Sequence, residues 1–133
     1  MYCTMKPLLT QAMADGQGVP AFNIHALEVV PVMAKAADAV KCPVILQVSV
    51  STAKYIGYSL LASVVKKVSE DMTVDIALHL DHATSLEDIQ GALDGGFSSV
   101  MYDGSKLSFE ENVSNTLLSL IHISEPTRPE PIS

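Results

Sequence analysis

The chain has 133 residues, a net charge of −7 and 48% hydrophobic residues, which suits one globular domain and is too apolar for intrinsic disorder. The acidic balance argues against nucleic-acid binding, which needs clustered Lys and Arg, and no apolar run reaches the ~20 residues that span a bilayer. Because the N-terminus lacks a secretion signal, and Cys3 and Cys42 form neither a CxxC pair nor a disulfide framework, we predict a cytoplasmic protein.

The first part of the chain is typical of two strand–helix units. An apolar run at 19–24 predicts a strand, and the helix after it has apolar positions at helical spacing, namely Leu27, Val30, Ala34, Ala37 and Val40. Pro31 is tolerable near the start of this helix, because N–H groups of the first turn have no partner. A second strand is predicted at 43–49, and the second helix has its apolar face at Leu61, Val64, Val65, Val68 and Met72.

Two further units follow the same order. A buried strand is predicted at 75–80, and either Ser85 with Asp88 or Thr84 with Glu87 can form the capping box of the next helix. The pair Gly95-Gly96 is expected to stop that helix. A fourth strand is predicted at 98–104, and Ser108 with Glu111 indicates the start of a fourth helix.

Continuous apolar strands that alternate with amphipathic helices predict a parallel sheet. An open doubly wound sheet and a (β/α)₈ barrel both fit this order. No GxGxxG or GxxxxGK[ST] motif occurs in the sequence, so the nucleotide-binding forms of the open sheet lose their usual support. A barrel needs about 250 residues and eight units. We therefore predict an α/β chain that forms the first half, four β/α units, of a TIM (β/α)₈ barrel.

The segment after residue 117 has a different character. Three prolines fall in the last eight residues, and the segment LSLIHISEPTR (118–128) resembles the translated end of a transposon-type sequencing adapter. A natural strand with a proline-rich terminus is the alternative. We predict that residues 1–117 form the half barrel and that residues 118–133 are a non-native tail, which should be left out of fold reasoning.

Polar residues end all of the predicted strands. HLDH (79–82) closes the third strand and YDGS (102–105) the fourth, while Asn23 and Ser49 end the first two. In a parallel barrel these ends build the active site, where imidazole can bind Zn²⁺ and a nearby carboxylate can transfer a proton. Taken singly, each pattern also fits a structural histidine or a turn, since Asp-Gly is a favoured turn pair. Their shared edge favours a site.

The segments AFNIHALE, PVILQVS, ALHLDHATSLEDI and SVMYDGSKLSFEEN occur in the order and at spacing like that of class II fructose-bisphosphate and tagatose-bisphosphate aldolases. The resemblance covers nearly all of residues 5–116. It implies that His82 is the first of three histidine ligands of a catalytic zinc, and that Asp81 is the acid/base acting on the C4 oxygen. It also implies that Asp103 binds a secondary divalent cation. The positions of Asn23 and Ser49 resemble ones that hold the substrate, Ser49 near one phosphate.

The resemblance implies reversible cleavage of a ketose 1,6-bisphosphate, fructose or tagatose, into dihydroxyacetone phosphate and glyceraldehyde 3-phosphate. We expect a homo-oligomeric full-length parent and an inactive fragment, because two zinc histidines, the triose-deprotonating carboxylate and the phosphate loops are missing. Two alternatives remain: a non-catalytic, aldolase-like partner subunit and a small flavodoxin-like binding module. The isolated half barrel is expected to self-associate through its open strand edges.

Overall fold

A computed structural model describes residues 1–124, with side chains described as far as Ile121. Its elements are α1 (Met5–Ala14), β1 (Ala21–Asn23), α2 (Val29–Ala39), β2 (Val44–Ser49), α3 (Val50–Ile56), α4 (Tyr58–Glu70), β3 (Ile76–Ala83), α5 (Leu86–Gly95), β4 (Ser99–Tyr102) and α6 (Phe109–Ser124). Helix α6 includes the first residues of the predicted tail, whose remainder, 125–133, lies outside the described residues. The origin of the tail therefore stays a prediction.

The strands form one sheet in the order β1-β2-β3-β4, and each neighbouring pair is parallel. A doubly wound sheet reverses its strand order at a switch point, whereas a barrel adds each new strand beside the last. The consecutive order is therefore that of a barrel segment. The predicted strand–helix units are confirmed, and the strand order of a flavodoxin-like module is not observed among the described residues.

One face of the sheet packs against α2, α4 and α5. Leu46, Val48, Leu78 and Leu80 are fully buried on this helix-covered face, in one cluster with residues of the three helices, among them Val30, Leu61, Val65 and Ile89. Burying such a side chain contributes about 1.5–3 kcal/mol. The alternation of the pleat then sends the intervening residues to the other face, which we call the open face.

The open face is apolar near the strand starts and polar towards their carboxyl ends. Near the starts, Leu8 of α1 packs on Ile45 and Ala77 in a separate small cluster. The next aligned row along the strands is polar. It consists of Asn23, Gln47, His79 and Ser99. Ser49 and Asp81 are paired one row further on.

The three helix ends for which the sequence offers a signal follow it. The Ser85 hydroxyl accepts a bond from the backbone N–H of Asp88 at 3.1 Å, so the Ser85–Asp88 alternative is the observed cap. Gly96, in the left-handed conformation, ends α5. Ser108 and Glu111 exchange the reciprocal bonds of a capping box. Helices α1 and α3 were not predicted, and the third strand was predicted to end at Leu80, although β3 continues to Ala83.

Strands β1 and β4 form the two edges of the sheet. Beside β1, an apolar groove of about 420 Å³ is lined by residues of β1, β2, α2 and the segments next to them, including Phe22, Val32 and Val40. These three side chains are exposed. Among the described residues, no helix is both long enough and apolar enough to cross a bilayer.

Candidate active site at the carboxyl ends of the strands

The polar residues predicted to share one edge lie at the carboxyl ends of the strands. Asn23 is the last residue of β1, and Ser49 is the last residue of β2. Ser49 is aligned with Asp81 on β3, and Asp103 directly follows β4. The sheet thus brings Ser49, Asp81, His82 and Asp103 into one region, with Asn23 one row below.

His82 has an unusual backbone conformation. Its φ angle is +52°, and the pairing of β3 with β4 is irregular between Leu80 and Ala83. A residue other than glycine at positive φ is uncommon and is often found at functional sites. Successive residues of a regular strand point to opposite faces, but here the His82 Nε2 atom lies 3.8 Å from Asp81 Oδ1. The irregularity therefore places both side chains on one side of the sheet.

The imidazole of His82 is oriented by Asp103. The His82 Nδ1 atom lies 2.8 Å from Asp103 Oδ2. Since a carboxylate can only accept, Nδ1 carries the hydrogen and the lone pair of the neutral ring is on Nε2. A hydrogen bond of this type, made by the ring nitrogen that does not bind the metal, fixes the tautomer of many metal-binding histidines. In its neutral form His82 therefore presents a lone pair beside Asp81, and 64% of its side chain is exposed.

The charged forms of His82 and Asp103 stabilise each other. The hydrogen bond to Asp103 and the charge of Asp81 raise the pKa of His82. The bonds from Ser105 and His82 hold the pKa of Asp103 well below its usual value. Asp103 is thus a carboxylate over the whole neutral range, and it favours the protonated form of His82 in the metal-free chain.

The loop after β4 holds Asp103 in place. The backbone N–H of Ser105 donates to Asp103 Oδ1 at 3.0 Å, and the N–H of Asp103 donates to the carbonyl oxygen of Ala83 at 2.7 Å. Gly104 is buried, and a Cβ atom there would lie 2.2 Å from Asn112 Oδ1 on α6. A larger residue here would have to displace the Asn112 side chain, so the Asp-Gly pair serves both the turn and the approach of α6.

Below the rim, the polar row contains two side-chain pairs. Gln47 Nε2 donates to Asn23 Oδ1 at 2.5 Å, and His79 Nδ1 lies 2.7 Å from the hydroxyl oxygen of Ser99. Burial lowers the pKa of His79, which suits a neutral, hydrogen-bonded ring. Neither Gln47 nor Ser99 was given a role from the sequence. For Gln47 a signal was present, because the period of two along a strand places it on the same face as Ser49.

Ser49 connects the sheet to helix α3. Its hydroxyl caps this helix by accepting from the N–H of Thr52 at 3.4 Å, and it lies 3.2 Å from the hydroxyl of Ser51. Ser49 is exposed, so a small molecule can reach this group of hydroxyls. The residues after Ser49 lack a long apolar stripe, which is why the pattern did not predict α3.

The described residues meet only part of the needs of a catalytic zinc. The chemistry of His82 Nε2 fits one ligand position, but such a site takes three protein ligands. Within the part of the chain whose side chains are described, no group of three His, Cys, Asp or Glu residues could hold a metal ion. No metal-dependent step is therefore derived for this chain by itself.

Comparison with known proteins agrees with this geometry. The sequence model described as fructose-bisphosphate aldolase class-II matches residues 3–122. A fructose-bisphosphate aldolase from Geobacillus stearothermophilus is 44% identical over 116 residues, which cover 85% of this chain and 40% of that protein. A sulfofructosephosphate aldolase from Alkalicoccus urumqiensis is 38% identical over 117 residues, which cover 88% of this chain and 41% of that protein.

Solved structures give the same result for the fold. The fructose-bisphosphate aldolase of Campylobacter jejuni superposes with a TM-score of 0.79 at 28% identity, over 91% of this chain and 43% of its own. The YdjI aldolase of Escherichia coli K12 gives a TM-score of 0.82 at 25% identity, over 91% of this chain and 46% of its own.

The four-stranded parallel segment and the family match together define a class II fructose-bisphosphate aldolase domain with part of a TIM barrel, and the chain belongs to this family. It spans about 40% of the length of the curated relatives that it matches.

Proposed function

We propose that this chain is the N-terminal part of a zinc-dependent aldolase that reversibly cleaves a ketose 1,6-bisphosphate into two triose phosphates. The observation that carries the proposal is the cluster of Asp81, His82 and Asp103, in which Asp103 orients the imidazole and leaves Nε2 next to Asp81. The family match and the relatives named fructose-bisphosphate aldolase support it.

In this proposal the residues of the chain have separate tasks. His82 would be one of three histidines that hold zinc, and a bound zinc ion would stabilise the negative charge that develops on the substrate oxygens. Asp81 would remove the proton from the C4 hydroxyl during cleavage and return it during condensation. Asn23 and Ser49 would hold the substrate. Asp103 would bind a secondary divalent cation, and its bond to His82 adds an orienting role.

A substitution of Asp81 tests the acid/base assignment in the full-length aldolase. Asp81→Asn keeps the size of the side chain but cannot accept the proton, so kcat should fall by about 10²–10⁴-fold while zinc content is retained. Asp94→Asn is the matched control, because Asp94 is exposed and bonds Gln90 on α5. Wild-type kcat in Asp81→Asn would contradict the assignment.

The substrate needs a direct comparison. Fructose 1,6-bisphosphate, tagatose 1,6-bisphosphate and sulfofructose phosphate should be assayed side by side, since one relative is named for the last. We expect fructose 1,6-bisphosphate to give the highest kcat/KM, and chelation of zinc to abolish turnover. A full-length protein that turns over none of the three would instead support the non-catalytic partner subunit.

The 133-residue chain should have no aldolase activity. It offers one of the three zinc ligands within the described residues, and we propose that residues 118–133 are not native. Sequencing the source DNA through codon 117 tests this: further strand–helix units with two more histidines are expected. A stop codon at that point would contradict the fragment proposal.

A further inference from the structure

A buried carboxylate on α5 connects three elements next to the proposed active site. Asp88 accepts bonds from Lys54 of α3 at 2.7 Å, from the hydroxyl of Tyr58 of α4 at 3.1 Å, and from the hydroxyl of Ser85 at 2.8 Å. Only 9% of its side chain is exposed. We call these residues, Lys54, Tyr58, Ser85 and Asp88, the Asp88 hub.

In the sequence, residues of the Asp88 hub closely follow the two segments that present Ser49 and His82. Lys54 is on α3, the helix capped by Ser49, and Ser85 follows the strand end that carries Asp81 and His82. Asp88 thus connects the segment that presents Ser49 with the segment that presents His82. None of the hub residues takes part in the chemistry proposed above.

Stability alone is a weak reason for this arrangement. The Asp88 carboxylate is buried, whereas 58% of the Lys54 side chain is exposed. Desolvation of the carboxylate therefore offsets much of the Coulomb energy of the pair, and the best-attested use of such a buried charge is to specify one geometry. Burial alone would raise the pKa of Asp88, but its bonds from Lys54, Ser85 and Tyr58 hold that pKa below the usual value. The carboxylate is therefore ionised at neutral pH and keeps all its donors in place.

The geometry that needs specifying is the backbone at His82. A residue other than glycine at positive φ persists only where its surroundings over-determine it. On one side, Asp103 holds this turn through the carbonyl oxygen of Ala83 and the ring of His82. On the other side, the chain is anchored by the Ser85 cap, which Asp88 binds.

We propose that Asp88 is a positioning residue that, through Lys54, Tyr58 and Ser85, sets the placement of the Asp81–His82 turn relative to Ser49. The inference rests on the proposed function, because its consequence is a correct approach of the acid/base and metal-binding groups to the substrate. Displacement of reacting groups by about 1 Å can cost 10²-fold in rate.

The test uses the full-length aldolase with Asp88→Asn, which keeps the shape of the side chain and removes the charge that holds Lys54. The amide oxygen can still accept from Tyr58, and the amide nitrogen can donate to the hydroxyl oxygen of Ser85 in place of the bond that Asp88 accepts there. We expect kcat to fall by about tenfold to 100-fold at a temperature where the variant is fully folded, and the dissociation constant for zinc to rise. Lys54→Met should reproduce both effects, whereas Lys54→Arg should retain most of the activity. Asp94→Asn on the same helix should change neither.

The imidazole signals of His82, measured by NMR on the same proteins, separate the two proposals. Asp88→Asn should shift these signals and Asp94→Asn should not, whether or not the enzyme is active. If the wild-type protein has no aldolase activity but Asp88→Asn shifts the His82 signals, only the proposed function is overturned. Wild-type kcat, zinc affinity and His82 signals in Asp88→Asn would overturn the positioning role, and if that variant does not fold, the same result in Lys54→Met would do so.

Discussion

The left-handed backbone conformation of His82 costs stability but places the imidazole next to Asp81 and Asp103. An L-residue in the left-handed region costs about 1–2 kcal/mol, a cost that glycine avoids. The compensation is local, since His82 bonds Asp103 and the N–H of Asp103 bonds Ala83. His82 is thus the residue where local conformational preference and the proposed chemistry disagree.

The strained backbone predicts that His82→Gly is more stable than His82→Ala, the reverse of the order in a regular strand. In a regular strand, alanine is more stable than glycine by roughly 0.5–1 kcal/mol, but at a φ of +52° glycine should be favoured by about 1 kcal/mol. Both variants lose the bond to Asp103, so their difference isolates the backbone. Chemical denaturation followed by circular dichroism measures it, and a more stable His82→Ala would refute the strain.

The ion pair of His82 with Asp103 predicts a pH dependence. Because the folded pKa of His82 is raised, its stabilising contribution is fully present below the unfolded pKa and is lost as pH rises through the folded pKa. The pKa of Asp103 is lowered in the folded state, so the stabilising contribution of Asp103 is lost only at acidic pH, as pH falls through its folded pKa. The pair therefore contributes between these two limits.

An NMR titration of the His82 ring in the metal-free full-length protein checks this dependence. Asp103→Asn removes the first cause of the shift and should lower the pKa of His82. Glu110→Gln, which changes an exposed carboxylate at the start of α6, should leave the titration curve where it was. An unchanged titration curve in Asp103→Asn would show that the hydrogen bond to Asp103 does not raise the pKa of His82.

Helices α4 and α5 approach each other closely at two glycines. A Cβ atom on Gly95 would lie 2.6 Å from Tyr58 Cβ and 3.0 Å from its backbone carbon, whereas one on Gly91 would meet the end of the Tyr58 ring at 3.0 Å. Tyr58 also contacts Phe97 edge to face, with ring centroids 5.8 Å apart. The glycines therefore let Tyr58 reach both Phe97 and Asp88.

Gly95→Ala should destabilise the chain although alanine is the better helix former. The gain in helix propensity is at most about 1 kcal/mol, and overpacking against a rigid backbone costs typically about 1–3 kcal/mol. We expect a net loss of about 1–2 kcal/mol in the free energy of unfolding. Gly18→Ala is the control, since nothing lies within 4 Å of its added methyl group; equal midpoints for both variants would contradict the close packing.

The elements with a strong hydrophobic period were predictable from the sequence, and the others were not. Strands β2 and β3 with helices α2, α4 and α5 carry the buried apolar core, so their hydrophobic patterns are visible in the sequence. Helix α1 buries only Leu8 and helix α3 only Ala53, which leaves almost no pattern. The capping pairs Ser85–Asp88 and Ser108–Glu111 were found because their hydrogen bonds are local in sequence.

Within the candidate site, sequence reasoning found the shared edge but not its internal geometry. Parallel strands bring their carboxyl ends together, so Ser49, Asp81 and Asp103 could be grouped without a structure. The left-handed turn at His82 and the bonds of Asp88 depend on contacts between distant segments. Such contacts leave no local signal in one sequence.

As a whole, the described molecule is a sheet with two unpaired edges and an apolar groove beside one of them. Unpaired edges and exposed apolar side chains are sites of association. Phe22 and Val40 of the groove are 50% and 73% exposed. We therefore expect the 133-residue chain to form oligomers or aggregates at micromolar concentration.

Light scattering after size exclusion tests this expectation with Phe22→Lys, because an edge lysine resists pairing. The variant should shift the distribution towards monomer. Tyr55→Lys is the matched control, since Tyr55 is 92% exposed but lies on α3, outside the groove. If the wild-type chain is a monodisperse monomer that melts cooperatively, the unpaired strand edges do not cause association.

Helix α1 also determines how a ligand can reach the interior. Leu8 covers Ile45 and Ala77 and so blocks the amino-terminal end of the open face, which leaves the carboxyl ends as the way to the polar row. In the proposed aldolase, substrate and products would then share a single mouth. A triose phosphate that lingers there would obstruct the next ketose, and product inhibition competitive with substrate is the kinetic consequence.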